Sequence, residues 1–418
     1  MDVVSDKGAA TRRPRMILLT QWFDPEPTFK GLLFARALVA RGFDVEVVTA
    51  FPNYPGGKVY DGYSIRPIQR EERDWVSITR LAIYPSHDQK ALHRIANYVS
   101  FFLSAALYLT FFARKADVLY AYHPPLTVSM AAAVAKLFRR TPTVVDIQDM
   151  WPDTLRATGM LNNPRVLGIV DVACSWVYRR VDRIVVLSPG FRRLLIERNV
   201  PEEKISVIYN WADEASVAAV AGDTPAAMSE PGRFRVLFAG NMGRAQGLDT
   251  VLDAARQLLT TTPRAEICFL GGGLELERLK ARVADEQLTN VRFLPKVPMA
   301  EVGAFLAAAD CLLVHLKSDP LFKITIPSKT QAYMASGKAT IIAVEGDAAD
   351  LIADSGGGCV VPPENADELA KAIAALAARP AEDLVAMGQA AKRYYDAHLS
   401  LAKGADSFAA LLHGLVRA

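Results

Sequence analysis

The chain has 418 residues, 51% hydrophobic and 22% charged, a composition typical of globular proteins that excludes disordered and fibrous classes. Because one hydrophobic core rarely grows beyond about 250–300 residues, this length predicts two domains. The net charge is +3, but it is unevenly distributed and the first half is basic: residues 1–210 carry 28 Lys and Arg against 20 Asp and Glu. An anionic partner or membrane surface would explain this excess, and so would chance; we expect no nucleic acid partner.

The first block of strand and helix signals follows a polar tail. Residues 1–14 lack the apolar core of a signal peptide and are predicted to be disordered. Continuous apolar runs separated by helical stretches predict a parallel sheet covered on both faces, within a domain over 15–213. The predicted strands are 15–20, 45–51, 116–122, 141–148, 181–188 and 205–210.

One helical stretch of this block has no charged residue from Ile95 to Ala113, with Arg94 before it and Arg114 and Lys115 after it. Three interpretations are open. The stretch is a buried core helix, a helix whose outer face docks at a membrane interface, or a membrane span. A span would split the parallel sheet, and we favour interfacial docking of helix 95–113.

The second block restarts after a small, polar, proline-bearing segment, 214–232, which we predict to be a linker. A second domain is predicted over 233–395, and a C-terminal helix over 396–418 that crosses back to the first domain. Its predicted strands are 233–240, 266–273, 291–297, 311–316, 339–344 and 357–362. The predicted fold class is α/β, with two doubly wound Rossmann-like domains facing a cleft, and ligands bind such sheets beyond the carboxyl ends of the strands.

Neither a GxGxxG motif after the first strand nor a GxxxxGK[ST] motif occurs, so classical NAD-binding and P-loop folds are not indicated. Six other blocks follow one another along residues 15–400. They are QWFDPEP (21–27), FARALVARGFDVEVVTAFPNYPGGKVYDGY (34–63), DMWPDTLRATGML (149–161), VLSPGFRRLLIERNVPEEKISVIYNWAD (186–213), FAGNMGRAQGLDTVLDAA (238–255) and IPSKTQAYMASGKATII (326–342). Together they resemble GT-B glycosyltransferases of family 4, especially the bacterial surface-polysaccharide branch with N-acetyl-L-fucosamine transferases and colanic acid glycosyltransferases.

The resemblance implies a GT-B fold whose C-terminal domain binds a UDP-sugar and whose N-terminal domain binds the acceptor. It implies a retaining transfer of a hexose or N-acetylhexosamine-type sugar, without metal or other cofactor. The implied acceptor is a saccharide linked to undecaprenyl diphosphate, in surface polysaccharide assembly. The implied location is cytoplasmic, peripherally associated with the inner face of the cell membrane.

The sequence departs from the family at two acidic positions. Many members carry two glutamates where this chain has Ile324 and Ala332, so the ribose contact is absent or supplied elsewhere. Ser328 and Lys329, after Pro327 at a predicted helix start, are suited to binding the donor diphosphate, because cations and helix-terminal N–H groups compensate its charge. We predict that Lys329 binds the diphosphate directly; the alternative is a capped helix with a solvated lysine.

The resemblance extends the nucleotide-sugar site to loops that follow other strands of the second domain. Glycines there permit close approach of the backbone to a nucleotide. Arg244 and Lys323 are secondary candidates, each also explained as a solvated side chain. The further predicted residues are Gly240, Asn241, Gly272, Gly273, Lys296 and Val297.

In the first domain, Gln148 and Asp149 follow a predicted strand. Related enzymes have a histidine or acid near this place, and attack by a hydroxyl requires an acceptor for its proton. Asp149 is therefore predicted to orient the acceptor or take its proton, or else to cap the next helix. The other predicted acceptor-side residues are Lys30 and Gly31 at a helix start, where they would approach the acceptor phosphate, Tyr54 in a proline-rich loop, and His123 after a strand.

Two other functions remain open: a UDP-sugar 2-epimerase of GT-B fold, and a degenerate nucleotide-binding assembly subunit without transferase activity. The two missing glutamates favour the second of these. The histidines form no ligand spacing in the sequence, and no metal site is predicted.

Overall fold

A computed structural model describes residues 12–86, 91–157, 159–218 and 224–417 of the chain. Within them the chain forms two compact units. The first unit comprises the chain up to Val185, residues 200–206 and the chain from Ala405 onwards. The second unit comprises 186–199 and 207–404.

The first sheet follows the predicted alternation of strands and helices. All of its strands are parallel except the edge strand β3, which pairs antiparallel with β4. The described strands, in the order β3-β4-β2-β1-β5-β6-β7-β8, have these bounds: β1 Arg15–Leu19, β2 Asp44–Ala50, β3 Ile68–Arg73, β4 Val76–Leu81, β5 Val118–His123, β6 Thr143–Ile147, β7 Arg183–Val186 and β8 Ile205–Val207. The helices up to β8 are α1 Leu32–Ala40, α2 Ala91–Leu107, α3 Leu126–Arg139, α4 Asp153–Ala157, α5 Pro164–Arg180 and α6 Pro189–Glu197.

The second sheet is entirely parallel over the described residues. Its strands are buried because helices such as α8 and α14 pack their apolar faces on it. In the order β11-β10-β9-β12-β13-β14 the bounds are β9 Phe234–Asn241, β10 Ala265–Gly272, β11 Val291–Leu294, β12 Cys311–His315, β13 Thr340–Ala343 and β14 Gly358–Val361. The remaining helices are α7 Glu214–Val217, α8 Leu248–Thr261, α9 Leu276–Asp285, α10 Met299–Ala308, α11 Pro320–Ile324, α12 Ser328–Ser336, α13 Asp347–Ser355, α14 Ala366–Ala377, α15 Ala381–His398 and α16 Leu401–Arg417.

The units divide the chain differently from the predicted boundaries at 213, 232 and 395. Helix α6 belongs to the second unit, because the backbone N–H of Gly190 donates to Asp347 (2.5 Å) and Arg193 pairs with the same carboxylate (2.9 Å). The predicted linker contains α7, which packs against α10 and α12. A Cβ on Gly303 of α10 would lie 2.7 Å from the Ala218 carbonyl oxygen, so this packing is close.

The two chain ends also differ in detail from the prediction. Residues 1–11 of the predicted tail lie outside the described residues, whereas residues 12–14 are described and Arg12 forms an ion pair with Asp117 (2.7 Å). At the C-terminal end, the chain belongs to the first unit only from Ala405 onwards, rather than from residue 396. The Phe408 ring then packs edge-on against Tyr120 (5.3 Å between centroids), as a helix returning to this unit requires.

A β-hairpin, β3–β4, was not predicted from the sequence. Its turn residues Asp74 and Trp75 both have positive φ (52° and 67°), as a tight two-residue hairpin turn demands. Neither is glycine or asparagine, and the β3 sequence IQREER is strongly charged, so the usual signals of a hairpin are missing. Charged side chains are typical of an exposed edge strand.

Candidate active site

The floor of the candidate donor site is the carboxyl edge of the second sheet, where glycines lie at or beside the last residues of β9 and β10. Gly240, Gly271 and Gly273 have φ values of 128°, 127° and 154°. A Cβ on Gly271 would lie 2.3 Å from the carbonyl oxygen of Gly240, and one on Gly273 would lie 2.4 Å from that of Met242. The strands therefore reach this edge with no side chains between their backbones. Gly272, by contrast, faces open space.

Replacing Gly271 with alanine is expected to lower the free energy of unfolding by roughly 2–5 kcal/mol, because the new Cβ meets a carbonyl oxygen and the φ is strained. The matched variant Gly272→Ala is expected to stay within about 1 kcal/mol of the wild type, since nothing lies within 4 Å of its Cβ. Urea denaturation of both variants measures the difference. Equal stability of the two would contradict the close approach of the strands.

Lys329 is the central residue of this edge. Its ammonium is buried, lies 3.5 Å from the centre of the Phe238 ring, and has no hydrogen-bond partner or carboxylate among the described residues. Burial lowers the pKa of Lys329 to about 7. A Cβ on Gly240 would lie 3.5 Å from its Nζ, so the ammonium sits at the end of β9. A buried cation with no counter-ion is costly, and an anionic ligand would relieve that cost.

Helix α12 fixes Lys329 in this place. The helix begins at Ser328, with Pro327 as the residue before it rather than as its first residue, a shift of one position from the prediction. One turn after Lys329, the hydroxyl of Tyr333 accepts a hydrogen bond from the Ala239 N–H (2.8 Å) and ties the helix to β9. The exposed Ser328 and the first N–H groups of α12 therefore stand beside the same strand end.

His315, which the sequence analysis did not include in the site, ends the neighbouring strand β12. Its ring is fully buried, and Nδ1 lies 2.6 Å from the carbonyl oxygen of Gln246. Its Nε2 is buried with no partner in the described part of the chain. Burial lowers the pKa of His315, and the positive charge of Lys329 lowers it further. The edge thus carries two buried side-chain nitrogens without a hydrogen-bond partner among the described residues, Lys329 Nζ and His315 Nε2. The second was not predicted from the sequence, because its lack of a partner depends on the tertiary packing around it.

The other predicted donor-side residues lie on several elements of the second unit. Arg244 is 80% exposed and lies 3.6 Å from Glu275, and Lys323 pairs with Glu345 (2.7 Å). Both already have a carboxylate partner at the surface, unlike Lys329. Asn241 is exposed at the end of β9, whereas Lys296 and Val297 follow β11 and are exposed and half-buried.

Ile324 and Ala332, which stand where many family members carry glutamate, pack within the second unit. Ile324 packs into α6, where a Cβ on Gly190 would lie 2.4 Å from its Cγ2, and its carbonyl oxygen accepts from the Ser188 hydroxyl (2.5 Å). Ala332 is half-buried on α12. Neither position can bind a ribose hydroxyl through its side chain.

In the first unit, Asp149 and Gln148 follow β6 at the carboxyl edge of the sheet, as predicted. Asp149 is half-buried, its carboxylate makes no hydrogen bond or ion pair with a described residue, and burial raises its pKa. The alternative role as a helix cap is not observed, because α4 begins only at Asp153 and the Asp149 contact to this turn is its carbonyl oxygen, which accepts from the Trp151 N–H (3.0 Å). The carboxylate is therefore available to a ligand.

Lys30 lies elsewhere than expected. Its side chain is 0% exposed and its Nζ is 3.1 Å from Asp146, so it is not displayed toward an acceptor phosphate. Asp146 also accepts from the Tyr120 hydroxyl (2.5 Å) and from the Gln148 amide (2.7 Å). Burial lowers the pKa of Lys30, and the Asp146 carboxylate opposes that shift. The residue that the sequence analysis missed here is Asp146, which joins the buried lysine to the Gln148–Asp149 loop.

The remaining acceptor-side residues surround this edge. Gly31 immediately precedes α1, and a Cβ at this position would lie 2.3 Å from Asp24 Oδ2. The same oxygen accepts a hydrogen bond from the N–H of Leu32, the first residue of the helix (2.6 Å). The Tyr54 ring stacks on Trp22 (4.6 Å), so one of its faces is already covered. His123 ends β5, paired in register with Ile147 of β6; its side chain lies outside what the structure describes.

Comparison with known proteins assigns these features to a class. A family described as glycosyl transferase 4-like domain matches residues 32–211, and glycosyl transferases group 1 matches residues 226–394. The chain is a glycosyltransferase with the two Rossmann-like domains of the GT-B fold. Within that class it belongs to glycosyltransferase family 4, as the two matches together cover most of its length.

Three individual proteins illustrate the likeness. The putative colanic acid biosynthesis glycosyl transferase WcaI of Escherichia coli is 27% identical over 74% of this chain and 77% of its own. The probable glycosyltransferase WbjE of Pseudomonas aeruginosa is 28% identical over 63% and 67%. Anabaena HepE, solved in complex with UDP and glucose, has a TM-score of 0.64 at 18% identity over 96% and 99%.

Proposed function

We propose that the chain transfers a hexose or N-acetylhexosamine-type sugar from a UDP-sugar to a saccharide linked to undecaprenyl diphosphate. The transfer retains the configuration of the donor, uses no metal, and takes place at the cytoplasmic face of the cell membrane. The observation that carries the proposal is the buried ammonium of Lys329, which has no counter-ion where the second sheet ends. The polysaccharide role named for WcaI and the UDP bound by HepE support the acceptor and donor classes.

The described residues give each substrate charge a partner. As the C1–O bond to the diphosphate breaks, negative charge grows on the departing phosphate oxygen, and Lys329 with the first N–H groups of α12 compensates it. The acceptor hydroxyl forms the new bond to C1 on the face that the diphosphate leaves, as retention requires, and gives its proton to the Asp149 carboxylate. Burial raises the pKa of Asp149, which makes it a better proton acceptor near neutral pH.

Metal independence is part of the proposal. Within the described residues, His, Cys, Asp and Glu side chains form no group of three that could hold a metal ion. In this proposal, protein groups of the second unit compensate the charge on the diphosphate, Lys329 foremost. Equal transfer rates with and without a chelator such as EDTA would support this; loss of transfer on chelation would contradict it.

The proposed function is tested by incubating the protein with a panel of labelled UDP- and GDP-sugars and bacterial membrane extract. We expect label in the lipid fraction with at least one UDP-sugar. Sugar isomerisation without label in lipid would instead favour the epimerase. Nucleotide binding without transfer for every donor would favour the degenerate subunit that Ile324 and Ala332 suggest.

Replacing Asp149 with asparagine is expected to lower the turnover number about 100-fold or more, because the amide cannot take the hydroxyl proton. Affinity for UDP should be unchanged, since Asp149 belongs to the first unit. The matched control is Asp153→Asn at the start of α4, expected to keep its turnover. A turnover in Asp149→Asn equal to that of the control would remove Asp149 from the reaction.

A further inference from the structure

Helix α2 presents an apolar stripe to solvent. Its inner face packs on the sheet through buried residues such as Phe101 and Ala105. Over Leu92–Phe112 it is the one described helix with the length and composition to cross a membrane, yet only a third of its most apolar segment is buried. The exposed large side chains recur every three to four residues: Leu92, Ile95, Val99, Leu103, Leu107 and Phe111.

This exposure has no explanation in the packing of the unit. A helix that is apolar all round is normally buried or within a membrane, and exposed apolar patches of this extent mark interaction surfaces. A membrane span is not compatible with the fold, because β4 and β5 on either side of α2 lie in one sheet and the helix packs on that sheet. The stripe is therefore suited to lie along a surface.

The end of α2 adds aromatic side chains and a cavity. The helix continues as a π-helical turn, Tyr108–Phe112, and Phe111 and Phe112 are 66% and 58% exposed. Phe138 at the end of α3 is 67% exposed, with its ring 6.5 Å from that of Phe111. Between these helix ends and the beginning of β5 lies a cavity of about 170 Å³ with apolar walls that include Ile17, Leu109 and Leu119.

The rim of this cavity is cationic. Arg114, Lys115, Lys136 and Arg139 line it, and Arg140 is exposed beside them. Arg139 holds the helix ends together by donating to the carbonyl oxygens of Thr110 and Ala113 (2.7 Å each).

The acids at this end are already engaged. Asp182 pairs with Lys136, and Asp117 pairs with Arg12. Arg114 and Lys115 are exposed and make no ion pair with a described residue. The rim thus carries a surplus of positive charge.

We propose that this basic and aromatic end binds the phosphate of an anionic phospholipid, while the α2 stripe and the phenylalanine rings enter the surface of the bilayer. The charge complementarity of Arg114 and Lys115 selects an anionic lipid, and the adjacent apolar walls accept the start of its acyl chains. The inference rests on the proposed function, since a lipid-linked acceptor requires the enzyme at a membrane.

This lipid site is separate from the acceptor side of the same unit. The cavity opens where β5 begins, whereas Asp149 follows the carboxyl end of the neighbouring strand β6. A strand of five or six residues puts roughly 15 Å between them. A phospholipid bound here would hold the enzyme on the membrane without occupying the acceptor position.

The test is sedimentation of the purified full chain with vesicles of phosphatidylcholine alone and with added phosphatidylglycerol, at low and high salt. We expect binding that rises with phosphatidylglycerol and falls with salt. The double variant Arg114→Glu/Lys115→Glu should bind phosphatidylglycerol vesicles about 30-fold more weakly or worse. The double variant Phe111→Ser/Phe112→Ser should weaken binding to both kinds of vesicle.

A matched control makes the same change of charge elsewhere on the unit. Arg66→Glu/Arg73→Glu alters exposed residues at and beside β3, the far edge of the sheet, four strands or roughly 19 Å from β5. It should bind vesicles as the wild type does. Equal binding of the two double variants, or binding indifferent to phosphatidylglycerol, would overturn the proposal.

Transfer to a detergent-solubilised lipid extract, measured in parallel, separates this inference from the proposed function. Transfer by a protein that does not bind vesicles would refute the lipid site alone. Vesicle binding that follows the expected pattern, with no transfer from any donor, would support the lipid site and count against the transferase function.

Discussion

Replacing Lys329 with alanine is expected to weaken UDP binding about 10- to 100-fold, the usual contribution of hydrogen bonds to a charged group. In the free protein the ammonium is buried over the Phe238 ring without a counter-ion, so its charge is only partly compensated until an anion arrives. A diphosphate supplies that anion, and the first N–H groups of α12 favour it further. Isothermal titration calorimetry with UDP measures the loss.

The control for this variant is Lys371→Ala, which removes an exposed lysine of the same unit that is paired with Glu368 (2.8 Å). It should bind UDP as the wild type does.

A second comparison measures UDP affinity as a function of pH. The pKa of Lys329 is about 7 in the free protein, and a bound diphosphate raises it. Lys329 therefore keeps its proton to higher pH in the complex than in the free protein. The affinity of the wild type for UDP should fall between pH 7.5 and 9, whereas the affinity of Lys329→Ala should show no such fall.

Replacing Lys30 with methionine is expected to destabilise the first unit by about 3–5 kcal/mol, because it leaves Asp146 as a buried charge without its cation. For a unit of this size that corresponds to a fall of roughly 6–20 °C in Tm. The double variant Lys30→Met/Asp146→Asn should recover most of the loss, since both charges are then gone. Scanning calorimetry measures all three proteins.

An exposed ion pair of the same unit serves as the comparison. Arg36 and Asp74 lie 3.4 Å apart with both side chains about half exposed, and Arg36→Met should cost less than about 1 kcal/mol. If Lys30→Met is no less stable than Arg36→Met, the buried Lys30–Asp146 pair does not stabilise the first unit as expected.

The order of strands and helices was largely predictable, because continuous apolar runs such as the one that forms β9 have few other structures open to them. The domain boundaries were less predictable from the sequence. Helix α6 joins the second unit through Asp347, more than 150 residues further on, and no local pattern carries that information. The hairpin β3–β4 was missed because its strand is charged and its turn lacks glycine.

For the site, the sequence indicated which residues stand at strand ends but not their protonation or partners. Lys329 was found from its place at a helix start, yet its missing counter-ion follows from burial beside Phe238. His315 was set aside because no histidine neighbour suggested a metal site, whereas its unpartnered Nε2 depends on tertiary packing. Lys30 was misplaced because its partner, Asp146, lies 116 residues away.

The central claim is that Lys329 binds the diphosphate of the donor, and a crystal structure with UDP tests it most directly. We expect UDP at the carboxyl edge of the second sheet, with Lys329 Nζ about 2.7–2.9 Å from a phosphate oxygen. A phosphate close to Gly240 would agree with the space left by its missing side chain. UDP bound elsewhere, with the ammonium still over Phe238 and no phosphate in contact, would contradict the claim.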